Sequence, residues 1–215
     1  MPCNCCEITD HVFGEDSARS DLRRYRRRGP PEQTKLLLQA IRALHLPKAE
    51  LLDVGGGVGV IYHELLEDVA ERATHVDASA AYLGTAKAEA ARRGHASRVR
   101  FIHADFTEVA SELPAADIVT LDRVVCCYPD FRSLLGSAAE HSRHALAFTY
   151  PRETWYTRIG FAIINFFQGL QKDPFRVFLH PVAEMDSLLK RAGFERISLR
   201  RLFVWEVALY QRITI

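Results

Sequence analysis

The sequence predicts an α/β fold, with a mostly parallel sheet, helices on both of its faces and an antiparallel hairpin closing one edge. Three observations carry this expectation. The stretch Leu51-Leu52-Asp53-Val54-Gly55-Gly56-Gly57-Val58-Gly59-Val60 runs a buried strand into alternate glycines and then into an amphipathic helix. Glycine supplies the φ values of a sharp turn and lets a ligand lie against bare backbone. Beyond it, strand-like and helix-like segments alternate with little insertion, the pattern of a parallel sheet. Finally, Phe194 to Ile215 reads as two strands joined too tightly for a crossover, and therefore antiparallel.

In chain order, Asp16 to Arg28 is polar and carries six arginines between Arg19 and Arg28, spread around a helix as on a solvated element. Gly29-Pro30-Pro31 ends it, and Pro31 opens a helix from Glu32 to about Leu46, with Leu37, Leu38, Ile41 and Leu44 at helical spacing. Residues 1–31 are thus expected to form an N-terminal tail and basic helical segment, and 32–215 the main domain. Strands are predicted at Glu50–Val54, Thr74–Asp77, Arg98–His103, Asp117–Leu121 and Ala145–Thr149. Helices alternate with them at Val60–Ala70, Ala80–Arg93 (stopped by Gly94) and Phe131–Ser142. Trp155 to Leu170 is strongly apolar but too short and interrupted for a membrane span, which takes about 20 residues. It is expected either in the core or, within 152–180, as a lid over an apolar substrate, and is compatible with contact at a membrane surface. A helix at Val182–Ala192 and strands at Ile197–Phe203 and Trp205–Ile213 finish the chain.

The 215 residues are 48% hydrophobic and 26% charged, which suits a soluble globular domain large enough to bury a core without staples. A formal net charge of +1 offers no global attraction to nucleic acid or membrane, and no aromatic-interleaved platform accompanies the arginines, so no nucleic-acid partner is expected. Met-Pro-Cys-Asn-Cys-Cys-Glu lacks the basic and apolar regions of a signal peptide, and a cytoplasmic location is expected. The five cysteines fall in two clusters, Cys3-Cys5-Cys6 and Cys126-Cys127, too close within each for a disulfide framework. The first lacks the spaced pairs of a zinc site, and no metal is expected.

The glycine turn must next be assigned a ligand. A dinucleotide fingerprint counted from Gly55 would need a third small residue at position 60, where Val60 stands. No Lys-Ser/Thr follows, which excludes a phosphate-cradling loop. Asp53, two residues before the first glycine, suits a ligand with a cationic amino group rather than a pyrophosphate.

Leu-Leu-Asp-Val-Gly-Gly-Gly-Val-Gly resembles motif I of the class I S-adenosylmethionine-dependent methyltransferases, a Rossmann-like fold with a seven-stranded sheet. The resemblance extends over roughly Glu32 to Ile215 and implies S-adenosylmethionine as cofactor. It implies that Asp53, Gly55, Gly57 and Gly59 form the turn beside the cofactor, and that Asp77, with Ala78, accepts the ribose hydroxyls through a bidentate carboxylate. It further places Asp105 at the adenine amino group with Phe106 against the ring, and Asp122-Arg123 where the chain passes the methyl donor. A narrower similarity is to magnesium-protoporphyrin O-methyltransferases. It rests on the Leu-Asp-x-x-x-x-x-Tyr pattern ending at Tyr128, the arginine-rich N-terminal segment, the apolar helix after Tyr150-Pro151-Arg152 and the Pro-Val-Ala-Glu start at Pro181. Cys127 stands where that family has a histidine before the Tyr.

Methyl transfer from a sulfonium is an in-line displacement, so alignment and exclusion of water are the protein's main tasks. A base is needed only for an acceptor that arrives protonated. Tyr128, Asp122 and His180 are the catalytic candidates, with Tyr150 after the fifth strand; Tyr25 and His11 are candidates to close over the cofactor from the N-terminal segment, whose position the sequence does not fix. The expected reaction is O-methylation of a small, apolar or aromatic acceptor. The alternatives are S- or metalloid methylation of a soft acceptor guided by the cysteines, or a macromolecular acceptor.

Overall fold

The computed structural model describes residues 13–171 and 173–213. His11 and the Cys3-Cys5-Cys6 cluster lie outside the described residues. The chain forms a seven-stranded sheet flanked by helices: α1 (Glu15–Arg28), α2 (Glu32–Arg42), β1 (Ala49–Val54), α3 (Val60–Leu65), β2 (Ala70–Asp77), α4 (Ala80–Arg93), β3 (Val99–His103), α5 (Phe106–Val109), β4 (Ala116–Leu121), α6 (Phe131–His141), β5 (Ser142–Pro151), α7 (Trp155–Leu170), α8 (Val182–Arg191), β6 (Phe194–Arg201) and β7 (Trp205–Arg212). The strand order is β3-β2-β1-β4-β5-β7-β6. The first five strands are parallel, and β7 runs antiparallel to both β5 and β6, as expected for the closing hairpin. Strand order reverses between β1 and β4, and the carboxyl ends of strands at such a switch point are where open α/β sheets bind ligands.

Alternation along the central strands builds a core on each face. Leu52, Val54, Val119, Leu121, Leu146 and Phe148 pack against α6 and α8, whereas Leu51, Ile118, Ala145 and Ala147 pack against α2 and α3 through Leu37, Leu38, Ile41, Tyr62 and Leu65. Each such leucine or phenylalanine contributes about 1.5–3 kcal/mol on leaving water.

Several boundaries differ from the sequence expectation, and pairing explains most of them. The helix predicted to run to Ala70 stops at Leu65, because Ala70 already pairs with Ala49 and β2 extends over eight residues instead of four. The second helix ends at Arg42 rather than Leu46, since His45 and Lys48 take positive φ and turn the chain into β1. Strand β5 reaches from Ser142 to Pro151 because β4 and β7 both pair with it. Strand β6 starts at Phe194, and the backbone bond from Leu202 N to Trp205 O makes the turn that was expected to be its end.

Helix α1 is not the fully solvated element its arginines suggest. Ala18 and Tyr25 are buried, the Tyr25 hydroxyl donates to Glu64 at 2.7 Å, and that of Tyr82 donates to Asp21 at 2.9 Å. Glu89 of α4 is fully buried and accepts from Arg92 and Arg93 on its own helix and from Arg26 on α1. These hydrogen bonds, that of Arg92 first, hold its carboxyl well below the usual carboxylate range despite burial. Helix α7 departs from the core reading: among its residues only Thr157 is buried, and Trp155, Phe166 and Phe167 are 74%, 63% and 56% exposed. No helix among the described residues is long and apolar enough to cross a membrane.

Because the folded-state pKa of Glu89 is depressed, its contribution is present above the unfolded value of about 4.3 and is lost as pH falls below that value. Glu89→Gln is expected to destabilise the protein by about 1–3 kcal/mol at neutral pH and to flatten the acid limb of stability against pH. Denaturant unfolding at pH 7 and pH 4 checks both.

Candidate active site

The turn after β1 sits at the switch point. Gly55, Gly57 and Gly59 all take positive φ. A Cβ on Gly55 would stand 2.6 Å from Val124 Cγ2, so this position needs glycine for space as well as conformation. Opposite it, Asp77 ends β2 and is 7% exposed. One carboxylate oxygen accepts from Gly57 N and the other from Ser79 N, both at 2.8 Å. Each oxygen keeps a lone pair for a further donor, and the side chain lines the adjoining cavity. Burial raises its pKa, opposed by His75 and by the two N–H bonds.

That cavity has a volume of about 500 Å³ and runs from the glycine turn to the segment between α7 and α8. Val54, Gly55, Gly57, Asp77, Ala78 and Tyr82 line one end. Asp105, Phe106, Asp122, Arg123 and Tyr128 line it further, as do Phe161 of α7 and Phe175, Val177 and Phe178 of the segment that follows. Phe13 packs edge-on against Tyr82 and Phe175, with ring centroids 5.9 and 5.4 Å away, so the start of α1 and the 173–178 segment meet over the cavity.

Not every sequence-predicted residue faces this space. Asp53 is fully buried beneath the turn: its Oδ1 accepts from Thr120 Oγ1 at 2.7 Å, and Oδ2 lies 3.5 Å from His75 Nδ1. A Cβ on Gly56 would strike it at 2.1 Å. Its expected contact with a ligand's amino group is therefore corrected to a support for the turn. Gly59 likewise backs onto the Tyr62 ring and starts α3 outside the cavity. Asp122, unlike Asp53, does line the cavity; it accepts the hydroxyls of Thr34 (2.5 Å) and Thr149 (2.6 Å) and also borders a smaller pocket of about 60 Å³ under α1. Arg123 follows it with φ 63°, fixed by a bond from its N–H to Thr149 Oγ1, and its guanidinium forms no ion pair among the described residues.

The catalytic candidates are more constrained than the sequence implied. The Tyr128 hydroxyl lies 2.6 Å from Thr107 Oγ1 and donates to Asp105 at 3.1 Å. Burial, with Asp105 adding to it, pushes its pKa up to about 12, so it stays a phenol at neutral pH. Asp105 itself caps α5 through Thr107 N at 2.9 Å, and both of its oxygens have protein donors. His180 lies outside the cavity lining. Its Nε2 stands 3.0 Å from Val125 O and 2.9 Å from Tyr128 O, a geometry in which that nitrogen carries the proton. Burial lowers its pKa, and it joins the turn after β4 to the start of α8 as a neutral ring, which corrects its assignment as a base. Tyr150 is buried in the core beside Phe148 and Tyr210.

Phe161 belongs to the segment expected as a lid, whereas Phe13, Asp21 and Tyr82 were not expected at the site. Ala18, Leu22 and Tyr25, spaced at helical intervals, were the signal that α1 has an inner face; nothing local marked Tyr82. Cys126 and Cys127 both line the cavity, on a 3₁₀ turn over Val125–Cys127.

Residues 51–144 match the family model described as a methyltransferase domain. No curated protein matches the sequence. Among solved structures, the fold is similar to magnesium protoporphyrin IX methyltransferase from Synechocystis PCC 6803 with bound SAH (TM-score 0.75, 17% identity, 98% of this chain and 100% of that one). It is also similar to an O-methyltransferase family protein from Burkholderia thailandensis (0.72, 16%, 96% and 61%). A third is 1,6-didemethyltoxoflavin-N1-methyltransferase from the same organism, with S-adenosylhomocysteine bound (0.65, 18%, 97% and 88%). From β1 to the start of β5 the chain is similar in sequence to a methyltransferase domain, and over nearly its whole length it has the fold of the class I S-adenosylmethionine-dependent methyltransferases.

Proposed function

We propose that the cavity binds S-adenosylmethionine at its glycine-turn end and holds a small, substantially apolar acceptor at the other, for methylation at an oxygen. The observation that carries this reading is the continuity of the cavity, from the paired oxygens of Asp77 to the Phe161 and Phe178 wall. The site fits the cofactor: Gly55 and Gly57 leave bare backbone, Asp77 keeps acceptor capacity for a diol, and Asp105 and Phe106 stand where a base edge and ring would lie. Asp122 would take the ammonium of the amino-acid end and Arg123 its carboxylate. When bound, the cofactor supplies an electrophilic methyl group on a sulfonium.

What this chain adds is alignment and dryness. Phe13, Tyr82 and Phe175 cover the cavity and exclude water from the line of attack. Tyr128, Asp105 and Asp122 are all engaged in hydrogen bonds, and His180 is turned toward backbone carbonyls. An acceptor that arrives already ionised, such as a carboxylate or an acidic phenol, needs no base, and this favours oxygen over a protonated amine. The relatives named for O-methylation and for a porphyrin support an oxygen acceptor and an apolar one. Residues 152–180 act as the acceptor-side lid. The paired free thiols suit a reducing compartment, and we place the enzyme in the cytoplasm.

Three outcomes follow. Calorimetric titration with S-adenosylhomocysteine should show Asp77→Asn binding at least about fivefold more weakly, the order of one lost charge-assisted hydrogen bond, with thermal unfolding confirming an intact fold. Undiminished affinity would remove Asp77 from the site. With an acceptor found by incubating metabolite pools with methyl-labelled cofactor, Tyr128→Phe should keep kcat within about tenfold; a drop of hundredfold or more would restore Tyr128 as a base. Phe161→Ala should raise the acceptor's KM several-fold and spare cofactor affinity, while Phe166→Ala, on the outer face, should change neither. Equal effects at both positions would contradict the lid.

A further inference from the structure

Cys126 and Cys127 bring two free thiols to one wall of the cavity, with their sulfurs 3.6 Å apart. Adjacent residues in an extended strand point to opposite faces, so this convergence is a product of the 3₁₀ turn at Val125–Cys127. The backbone bonds from Cys127 N to Val124 O and from Phe178 N to Cys126 O pin the turn, and both sulfurs lie 3.5–3.6 Å from the Arg123 carbonyl. The two thiols are therefore preorganised.

The spacing selects among soft centres. Two thiolates bound at about 2.3 Å to one centre in near-tetrahedral geometry stand about 3.8 Å apart, whereas linear two-coordination would put them about 4.6 Å apart. The observed 3.6 Å fits a bent centre and excludes a linear one without backbone movement. A tetrahedral metal ion would want further ligands, and no group of three His, Cys, Asp or Glu suited to a metal exists among the described residues. A centre that needs only two thiols and brings its own third substituent meets both conditions. That substituent would lie along the apolar wall of Phe161, Val177 and Phe178.

We propose that Cys126 and Cys127 form a two-thiol site that captures trivalent organoarsenicals inside the acceptor end of the cavity. The step is a condensation. Each thiol gives its proton to an arsenic-bound hydroxyl, two waters leave, and two S–As bonds replace two S–H and two As–O bonds, with no change in oxidation state. The hydrogen bond from the Cys126 thiol favours ionisation of Cys127, the more accessible of the two, which makes it the first to attack. This site stands independently of the methyl acceptor, and its readout is binding rather than turnover.

Phenylarsine oxide is the probe, and Cys3, Cys5 and Cys6 are replaced by Ser in the full chain to remove the other thiols. This background should bind one phenylarsenic group per chain, lose two titratable thiols in doing so, and release the group to 2,3-dimercaptopropanol but not to an equal concentration of 2-mercaptoethanol. Adding Cys127→Ser, or separately Cys126→Ala, should weaken binding by about hundredfold or more, because the second bond is then no longer intramolecular. Thermal unfolding of each variant shows that the fold persists. Loss of all binding in the Cys3, Cys5, Cys6 background, retention of tight binding in Cys127→Ser, or equal release by the monothiol would each overturn the proposal.

Discussion

The site depends on one buried carboxylate. Asp77 takes Gly57 N with one oxygen and Ser79 N with the other, tying the turn after β1 to the start of α4 across the end of β2. A carboxylate removed from water is costly, and burial accordingly raises its pKa. Two backbone donors offset part of that cost and fix both oxygens in direction. The fold therefore spends some stability to hold an acceptor pair rigid at the strand end. Asp53 makes the arrangement possible from below: bonded to Thr120 on β4 and pressed under Gly56, it holds the turn that places Gly57 N.

Around this fixed point the covering parts are attached differently. Helix α1 is held mainly by directional polar bonds, Tyr25 to Glu64, Tyr82 to Asp21 and Arg26 to Glu89, with Ala18 and Tyr25 as its buried contacts. The opposite cover is the segment leading into α8, anchored by Phe178 N to Cys126 O and by His180 to two carbonyls of the same turn. Both covers converge at Phe13 and Phe175, so access to the cavity is set by an aromatic edge contact.

Much of this was legible in the sequence, where local physics dictates the residue. Alternate glycines between a strand and a helix need positive φ, and an acid closing the next strand stands at the same sheet edge, so Gly55, Gly57 and Asp77 could be read directly. The direction of Asp53 was legible too, through parity: it shares a face with Leu51, which packs against the helices α2 and α3, while Val54 turns to the cavity. Its position at the carboxyl end of the strand, just before the glycines, pointed the other way. Contacts between distant segments were not legible, since nothing near Tyr82 marks Asp21 and nothing near His180 marks the carbonyls of Val125 and Tyr128. The exposure of α7 was hidden because an apolar helix reads alike whether it faces a core, a ligand or solvent.

In the proposed binding mode a single ligand bridges the glycine turn, the ends of β2 and β3, and α1. Backbone hydrogen–deuterium exchange of the full chain with and without S-adenosylhomocysteine tests it most directly. Protection should appear together at residues 55–58, 77–79, 105–107 and 18–25, with little change in β6 and β7. Protection absent from the glycine turn and from Asp77, or confined to the 155–170 helix, would contradict it.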